Sequence, residues 1–586
     1  MMRERTTKEI LSERSAARQT IPLFNIEALD KIKSDFHSWK RSMLNSKPLE
    51  NWHAVPQTVL GSEIPREMLY TPLNIANLDY SQSLGNPGGE PYTRGIHPSM
   101  YRGKLFTMRQ LCGAGSAEYT NRRLKMLLAH GATGINLLFD LPTIQMFDSD
   151  EPESRGYVGT VGVPINHVSD MEAVFDGIPI DKISVSLVTH YPRNTAILFP
   201  MFLVTAQHRN VPWASLTGSV QNDFIMETVV RSATEYIPPR DVFRIQCDNI
   251  EFVLGNLPRW NFITLNGYNL REFGTSGITE MAVAIANGIA TIQAMQKRGY
   301  PVDRIGERLA FFWSCSSDFF EEIARLRAVR RLWYRITRYR FEANNPRAMW
   351  MRCHVQTSGL SLTREEPKNN IVRSAYQALA AVLGGAQSLH VDSYDEAYSV
   401  PSEESSLLSL RTQQIIQAET GVTEVVDPLG GSYYLEALTN ELEQMILDEL
   451  DEIERMGGIV EAVEEGWLHR KIANYIQREQ IMIVNGQIRL VGQNYFRAPA
   501  VKMPSISIYQ HDEDLEQAMR QKLAVIRRQR NNQELINALN SLKQACVHGS
   551  NIMAHSLEAV QAGATVGEMR KAFIEAFGPW QPPKYL

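Results

Sequence analysis

Short polar motifs of this chain stand where apolar, strand-like runs of residues end. The motif Asp-Leu-Pro-Thr at 140–143 follows the apolar run 135–139, and Gly-Ser-Val-Gln-Asn-Asp at 218–223 follows the run 214–217. In a parallel β/α barrel the carboxyl ends of the strands share one face, so residues far apart in the sequence would meet around one pocket. The motifs therefore indicate an enzyme, or a protein descended from one. Further motifs of this kind occur at 266–269, 308–313, 354–359 and 388–390.

Apolar runs that alternate with helical stretches between residues 106 and 400 must position these motifs. The alternation is typical of repeated βα units and a parallel sheet. We therefore predict an α/β fold, a (β/α)8 TIM barrel with an N-terminal arm and a C-terminal helical extension. Among the intervening helices are 280–295 and 319–339. The eighth strand has no clear signal, whereas seven are predicted at 135–139, 183–188, 214–217, 262–265, 309–313, 349–353 and 388–390.

Changes in composition divide the chain into four parts. Residues 1–70 are predicted to form a helical arm, and 71–497 the barrel domain, including trailing helices and a Pro-, Gly- and Tyr-rich strap at about 70–100. Residues 498–512 contain the Pro and polar residues typical of a linker. The charged, periodic pattern of 513–586 predicts helices, which we expect to bury one face on a partner subunit.

Bulk composition excludes several classes of protein. Of the 586 residues, 44% are hydrophobic and 21% charged, and the net charge of −5 suggests neither a nucleic-acid nor a membrane partner. The five cysteines show no Cys-x-x-Cys spacing, so a disulfide framework or a structural zinc site is not expected. The N-terminus is too polar for a signal peptide, and no apolar run is long enough to span a membrane. We expect a cytoplasmic protein.

Six stretches together resemble a known family. They are Pro-Tyr-Thr-Arg-Gly at 91–95, Thr-Met-Arg-Gln at 107–110, Phe-Asp-Leu-Pro-Thr at 139–143, Gln-Thr-Ser-Gly at 356–359, Gln-Ser-Leu-His at 387–390 with Asp-Glu-Ala at 395–397, and Asp-Pro-Leu-Gly-Gly-Ser at 427–432. Through them, residues 75–497 resemble the large, substrate-binding subunit of adenosylcobalamin-dependent acyl-CoA mutases, which act on methylmalonyl-, isobutyryl- or 2-hydroxyisobutyryl-CoA. The resemblance implies a radical carbon-skeleton rearrangement. It also implies that the CoA arm threads a barrel axis lined with small polar residues.

The resemblance has one gap, which concerns the cofactor. Members of the family bind cobalamin through a flavodoxin-like domain whose Asp-x-His-x-x-Gly motif supplies the lower axial ligand. None of the thirteen histidines of this chain stands in that motif. We therefore expect a small cobalamin-binding partner subunit to supply that ligand, in a heterodimer or heterotetramer. The alternative is that this chain does not bind cobalamin.

Three positions predict the acyl group. Arg231 matches the arginine that holds the free carboxylate of methylmalonyl-CoA, a task suited to its two-pronged guanidinium, although a surface pair with Glu227 is the alternative. Leu111 matches a larger or branched residue beside the acyl carbon and would leave space there, unless it only fills the core. Leu138 stands where the hydroxyisobutyryl enzyme has Asp, which argues against a buried substrate hydroxyl. We expect a branched, carboxylated acyl-CoA that is converted to its linear isomer.

Asn269 departs most from the family pattern. The motif Gly-Tyr-His becomes Gly-Tyr-Asn at 267–269, so an amide that cannot carry charge replaces the histidine that hydrogen-bonds the thioester carbonyl. Losing such a preorganised donor costs roughly 10²–10³ in rate. Tyr268 is retained, Gln221 is expected to orient the acyl group, and Asn136 replaces a serine of the methylmalonyl enzyme.

The resemblance assigns further roles along the CoA arm and near the cofactor. Ser219 and Val220 should give backbone contacts, and Gln356 and Glu396 should face the adenosyl group and the corrin, with His354 grouped beside them. The remaining residues expected to bind substrate are His97, Met100, Lys104, Thr107, Arg109, Gln110, Arg308 and Ser388.

Other interpretations stay open at the level of sequence. His354 and His390 with Asp392 and Asp395 could mimic a metal site, but they lack a three-ligand spacing, and structural histidines are favoured. An unrelated lyase or hydrolase would use the same histidines. The chain could also be a non-catalytic homologue that binds a pantetheine thioester, and the arm itself could belong to CoA or to a carrier protein.

Overall fold

Parallel strands arranged in a ring form the centre of the protein. The computed structural model describes residues 5–16, 19–44, 64–230, 235–497 and 512–582. Its strands are β1 Thr107–Cys112, β2 Gly134–Leu138, β3 Ser184–Val188, β4 Thr217–Val220, β5 Trp260–Asn261, β6 Ile263–Asn266, β7 Leu309–Cys315, β8 Arg352–Thr357 and β9 Ser388–His390. They pair in parallel in the order β5-β4-β3-β2-β1-β9-β8-β7-β6.

The ring closes because β5 and β6 are two pieces of one strand, interrupted at Phe262. β5 pairs with β4, and β6 pairs with β7 on the other side. Beyond the interruption, the Thr264 amide still donates a hydrogen bond to the carbonyl oxygen of Gln221, at 3.1 Å. The nine short strands therefore make an eight-stranded barrel, which confirms the predicted fold class.

Three strands differ from the predicted ones. The eighth strand is β1, which contains the Thr-Met-Arg-Gln motif. β4 begins three residues later than predicted, because Trp213–Ser215 forms a 3-10 turn. β8 begins at Arg352, because Pro346–Met349 forms a helical turn in front of it.

Helices surround the ring and continue at both ends of the chain. They are α1 Thr7–Ala16, α2 Ile26–Leu44, α3 Met100–Gly103, α4 Ala117–Ala129, α5 Leu141–Ile144, α6 Val168–Phe175, α7 Pro192–His208, α8 Pro239–Asn256, α9 Gly267–Glu272, α10 Gly277–Lys297, α11 Val302–Gly306, α12 Phe319–Arg335, α13 Pro346–Met349, α14 Asn369–Leu383, α15 Glu403–Glu419, α16 Tyr433–Arg455, α17 Ile459–Glu464, α18 Trp467–Val484, α19 Glu513–Gln529, α20 Asn532–His548, α21 Ile552–Gln561 and α22 Val566–Phe577. The predicted helices at 280–295 and 319–339 correspond to α10 and α12, and α12 continues into a π-helical turn, Ile336–Arg340. Side-chain caps start both helices: Ser276 accepts from the Thr279 amide, and Asp318 from the Glu321 amide.

Helix α10 is the one helix of the described residues that is long and apolar enough to cross a membrane. However, 83% of its most apolar window is buried inside the protein. It packs against α16 and α9 as a core helix of the barrel.

An open channel runs along the barrel axis. Barrels of this kind usually fill the axis with layers of bulky branched side chains. Here many of the residues that face the axis are small and polar, as the resemblance implies, with a few larger ones such as Arg109 and Phe312 between them. The small polar residues are Asn136, Ser186, Ser219, Asn261, Thr264 and Ser388. The strands therefore leave space for an elongated ligand.

Of the four C-terminal helices, α21 packs on the outside of the barrel against α7 and α8, α22 packs against α7, and α20 packs on α21 and α22. Helices α19 and α22 also hold the loop of residues 147–163, which we call the cavity loop. The buried Asp148 carboxylate of this loop accepts hydrogen bonds from Thr565 Oγ1 at 2.6 Å and from the Gly567 amide at 2.8 Å, at the start of α22. Arg527 of α19 binds the same carboxylate at 2.8 Å.

Candidate active site along the barrel axis

Two cavities make up the axial channel. The N-terminal cavity, about 560 Å³, opens at the amino ends of the strands. The C-terminal cavity, about 440 Å³, lies at their carboxyl ends. Asn136, Gln221 and Phe312 line both cavities, so the two spaces meet in the middle of the barrel.

The strap and the strand beginnings line the N-terminal cavity. His97, Met100 and Lys104 border it from the strap, and the His97 ring stands edge-on to Trp350 at 5.0 Å. The predicted residues Thr107, Arg109, Ser219 and Ser388 are also among its lining. This half of the channel thus brings together most of the residues that the sequence predicts along a CoA arm.

Arg109 is an uncompensated cation in the wall of the N-terminal cavity. Its guanidinium donates to four neutral oxygens: Ser388 Oγ at 3.1 Å, Ser184 Oγ at 2.6 Å, the Ile135 carbonyl at 2.9 Å and the Ser184 carbonyl at 3.4 Å. Burial lowers the pKa of Arg109 to about 10. The positive charge therefore remains available to attract polar groups of a ligand in the channel.

Several arginines gather at the amino-terminal mouth. Arg352 lines the N-terminal cavity, and burial together with the charges of Arg347 and Arg308 lowers its pKa to about 10. Burial and Arg347 also lower the pKa of the half-buried Arg308. An anionic ligand would stabilise positive charges that lower one another's pKa in this way, and guanidinium groups bind phosphates well. The sequence analysis missed Arg347 and Arg352. Their only signal in the sequence is that Arg347 stands just before a strand and Arg352 begins it.

The predicted acyl-site residues line the C-terminal cavity. They come from the ends of β1, β2, β4 and β6, and they are Leu111, Asn136, Leu138, Gln221, Tyr268 and Asn269. Asn269 is fixed in the first turn of α9, where its backbone amide donates to Oδ1 of Asn266 at 2.9 Å. The Tyr268 ring stacks on Phe312, with 4.7 Å between the ring centroids.

Gln221 lies at the junction of the two cavities. Its side chain is buried, and its Oε1 atom has no hydrogen-bond partner among the described residues. A buried carbonyl oxygen without a partner is costly. A ligand in the channel that offers a donor, or that reorients the amide, would remove this cost.

A hydrogen-bonded network forms the far wall of the C-terminal cavity. Gln356 Nε2 donates to Tyr268 Oη and to Asp392 Oδ1, both at 2.7 Å. Asp392 Oδ1 also lies 3.2 Å from His390 Nε2. Glu396 lines the cavity beside this network.

Three carboxyl groups of this wall bind protons unusually tightly. Burial, and then the neighbouring Asp392, raise the pKa of Glu272 to about 8. Burial raises the pKa of Asp392 to about 8, and burial with Asp392 raises the pKa of Glu396 well above its usual range. At neutral pH this wall therefore offers O–H donors rather than full negative charges, which suits neutral hydroxyl groups of a ligand.

The raised pKa of Asp392 predicts a pH-dependent stability. The folded protein holds this proton more tightly than the unfolded chain, whose ordinary value is 3.8, so the contribution of Asp392 to stability falls as pH rises from about 4 to about 8. Asp392→Asn keeps the acceptor for Gln356 but has no proton to lose. The difference between its free energy of unfolding and that of wild type should therefore be about 2–4 kcal/mol larger, in favour of the variant, at pH 8 than at pH 5. Urea unfolding at both pH values measures this difference. The exposed control Glu153→Gln should show none, and a parallel pH profile for Asp392→Asn would contradict the assignment.

The side chains that could mimic a metal site fall into two places. His390, Asp392 and Glu396 offer ligand atoms within 4.8 Å of one another. His354, predicted among the cofactor-binding residues, instead lines the N-terminal cavity, where Nδ1 lies 2.9 Å from Ser388 Oγ and burial holds its pKa well below its usual range. His390 Nδ1 accepts a hydrogen bond from the Leu111 amide at 3.2 Å, so its ring already has a structural role.

Some predicted residues do not face the channel. The Gln110 side chain points outward and donates to the Ser406 carbonyl at 3.1 Å, because successive strand residues alternate between the two faces. The Val220 side chain points outward into the core for the same reason, so only its backbone, for which contacts were predicted, could meet a ligand. Arg308 contributes to the charge at the mouth but is not among the residues that line the N-terminal cavity. Arg231 lies outside the described residues.

His190 is a polar residue of the C-terminal cavity that the sequence analysis did not single out. It stands two residues after the end of β3, is buried and lines the cavity. The only signal for it in the sequence is this position, just past the predicted strand 183–188.

Comparisons with known proteins agree with this geometry. The family model described as methylmalonyl-CoA mutase matches residues 60–579. The 2-hydroxyisobutanoyl-CoA mutase large subunit of Aquincola tertiaricarbonis is 40% identical over 521 residues, 89% of this chain and 92% of that protein. The methylmalonyl-CoA mutase of Cereibacter sphaeroides is 39% identical, over 88% of this chain and 72% of its own length. The mitochondrial methylmalonyl-CoA mutase of Homo sapiens is 36% identical, over 92% and 73%. The chain therefore belongs to the methylmalonyl-CoA mutase family of isomerases.

Proposed function

We propose that this chain is the barrel subunit of a two-component, coenzyme B12-dependent acyl-CoA mutase. The observation that carries the proposal is the axial channel formed by the two cavities, with arginines at one mouth and the predicted acyl-site residues at the other. A ligand of this shape needs an anionic end, a long polar arm and a small reactive end. An acyl-CoA has all three.

Different residues of the channel would bind the phosphates, the arm and the acyl group of the ligand. Arg308, Arg352 and Lys104 would bind the phosphates of CoA, and the arm would run past Arg109 and the small polar residues of the axis. The acyl group would then lie beside Gln221 in the C-terminal cavity, where Asn269 supplies an amide.

The far wall of the C-terminal cavity suits the sugar of an adenosyl group. Gln356 offers an amide that Asp392 holds in place from behind, and the protonated carboxyl of Glu396 would offer an O–H donor to a ribose hydroxyl. When bound, adenosylcobalamin would supply the radical that takes a hydrogen atom from the substrate. Its lower axial ligand would come from a small partner subunit, and the relative named a large subunit supports such a pairing.

The cavity also bears on the acyl group. Leu111 and Leu138 line it with apolar surface, so a branched alkyl portion has a place to pack. We propose a carboxylated acyl group on the basis of Arg231, because a guanidinium meets a carboxylate with two parallel hydrogen bonds. The product would be the linear isomer.

Apolar side chains surround the mouth of the C-terminal cavity and would be covered by the small subunit. Tyr157 and Val161 of the cavity loop are exposed there, and Leu141 is partly so. The helices α19 to α22 stand behind the cavity loop, and their outer face would extend the docking surface. We propose a heterodimer or heterotetramer that works in the cytoplasm.

An electron paramagnetic resonance experiment tests this function. The chain, a cognate cobalamin-binding subunit and adenosylcobalamin would be mixed with a panel of acyl-CoAs. We expect a cob(II)alamin–radical signal with one branched, carboxylated substrate and no signal when either protein is omitted. Silence across the panel, despite confirmed assembly and acyl-CoA binding, would favour a non-catalytic pantetheine-binding homologue.

A further inference from the structure

The wall of the C-terminal cavity has a seam between the ends of β4 and β6. β4 pairs with β5 as far as Ser219, and β6 pairs with β7 on its other side. Gln221 lies on one side of this seam and Asn269 on the other, and both side chains line the cavity. The contacts that join the two strand ends therefore set the distance between the amides of Gln221 and Asn269.

Side chains of the motif at 218–223 join the two strand ends. Asn222 Nδ2 donates to the Phe262 carbonyl at 3.1 Å. Asp223 Oδ2 accepts the backbone amide of Asn266 at 2.8 Å. In a regular parallel ladder, backbone groups of both strands would make such bonds. Across the seam, the two side chains thus take the place of ladder hydrogen bonds.

Asp223 makes the largest number of these connections. Its Oδ1 atom accepts from Asn287 Nδ2 of α10 and from the Ile225 amide, both at 2.9 Å. Its own backbone amide donates to the His190 carbonyl at 3.2 Å. Asp223 is only 1% exposed. One buried residue therefore connects the segment after β3, the ends of β4 and β6, and α10.

The carboxylate of Asp223 is unfavourable to bury. Burial raises its pKa to about 7, and its two oxygens are bound by neutral N–H groups of Asn266, Ile225 and Asn287. A buried charge that is held by neutral donors alone costs stability. An amide could not replace it, because an amide offers one acceptor oxygen and the seam uses two.

The acyl-site residues on both sides of the seam depend on Asp223. Gln221 stands two residues before it, and Asn266, which it binds, caps α9 by accepting the Asn269 amide at 2.9 Å. We propose that Asp223 is a positioning residue of the acyl site, which holds Gln221 and Asn269 at the spacing that the acyl group of the substrate needs. This inference rests on the proposed function, because it assumes an acyl-CoA in the channel.

Substitution of Asp223 in the full-length chain tests the proposal. Asp223→Asn keeps the shape and one acceptor, but it turns an NH2 group toward other N–H donors. By calorimetry, we expect this variant to bind acyl-CoA about tenfold more weakly than wild type, and CoA without an acyl group within about threefold. Without ligand, hydrogen–deuterium exchange should become faster at the amides of residues 264–269 and stay as in wild type in β1.

Two further variants separate positioning from stability. The double variant Asp223→Asn/Asn287→Asp exchanges the acceptor and the donor of the buried pair, and it should bind acyl-CoA within about threefold of wild type. The control Asp248→Asn, in α8 and outside the seam, removes a buried carboxylate that Arg298 binds at 2.7 Å. It should lower the midpoint of thermal unfolding and change neither affinity.

A third variant carries the test if Asp223→Asn does not fold. Asn287→Ala removes one donor and leaves both backbone amides bound to Asp223. It should weaken acyl-CoA binding about threefold and leave CoA binding unchanged.

Three results would overturn the proposal. One is wild-type affinity for acyl-CoA in folded Asp223→Asn, or in Asn287→Ala where that variant is used, together with unchanged exchange at 264–269. Another is an equal loss of affinity for acyl-CoA and for CoA, because this would mean that Asp223 supports the fold as a whole. The third is a wild-type protein that binds neither ligand. That result is seen before any variant is made, and it rejects the proposed function along with this inference.

Discussion

Filling the axial channel is expected to abolish acyl-CoA binding while it stabilises the protein. Ser186 and Ser219 face each other across β3 and β4, with 3.4 Å between their hydroxyl oxygens, and both line the N-terminal cavity. Barrels of this class normally hold large branched side chains at such positions. In Ser186→Leu/Ser219→Leu, each leucine buries apolar surface worth about 1.5–3 kcal/mol, while the arm of an acyl-CoA loses its path.

Binding and stability are measured on the same samples. We expect acyl-CoA affinity to fall by at least about 100-fold, equivalent to roughly 2.7 kcal/mol or more, and the midpoint of thermal unfolding to rise. The exposed control Ser81→Leu should change neither. A double variant that is folded and still binds acyl-CoA as tightly as wild type would show that the arm does not run along the axis.

Removing charge from the amino-terminal mouth is expected to weaken the binding of acyl-CoA much more than the binding of acyl-pantetheine. Burial and the charge of Arg347 lower the pKa of Arg308, and burial with the charges of Arg347 and Arg308 lowers the pKa of Arg352, which marks a cluster of like charges. In Arg308→Gln/Arg352→Gln the amides retain hydrogen-bonding capacity but lose both charges. We expect binding of acyl-CoA to weaken about 100-fold, since removing buried charge contacts commonly costs about 2–5 kcal/mol. Binding of the acyl-pantetheine, which lacks the phosphates of CoA, should change by less than about threefold.

Calorimetry with both ligands at two salt concentrations tests this prediction. Wild-type affinity for acyl-CoA should fall with added salt, and the affinity of the double variant should depend on salt much less. The surface control Arg411→Gln on α15 should behave as wild type. Equal losses for acyl-CoA and acyl-pantetheine would mean that the two arginines support the fold and do not bind phosphate.

Much of the fold followed from the sequence, and the exceptions have a common cause. Strand β1 was missed because Thr107, Arg109 and Leu111 face an open channel, so the strand lacks the continuous apolar pattern of a filled barrel. β4 was placed too early because its own residues are small and polar, Gly218 and Ser219 among them. The small and polar residues that leave room for a ligand along the axis also interrupt the apolar runs by which strands are predicted.

The site was predicted best where a residue type alone carries the chemistry. Gln221 and Asn269 lie together in the C-terminal cavity, as the motifs suggested. The direction of a side chain was harder to predict: Gln110 belongs to a matching motif but points away from the axis, and His354 faces the N-terminal cavity. His190 was missed because a single histidine after a strand matches no motif.

The attachment of the cavity loop to the last helices sets an order of events during synthesis. Asp148 is held by partners at 527, 565 and 567, more than 370 residues further along the chain. The ribosome must therefore release residue 567 before the wall around Tyr157 and Val161 can be fixed. A nascent barrel would complete its last strand, at 388–390, well before this wall, so assembly with the proposed small subunit is expected only after residue 567 has emerged.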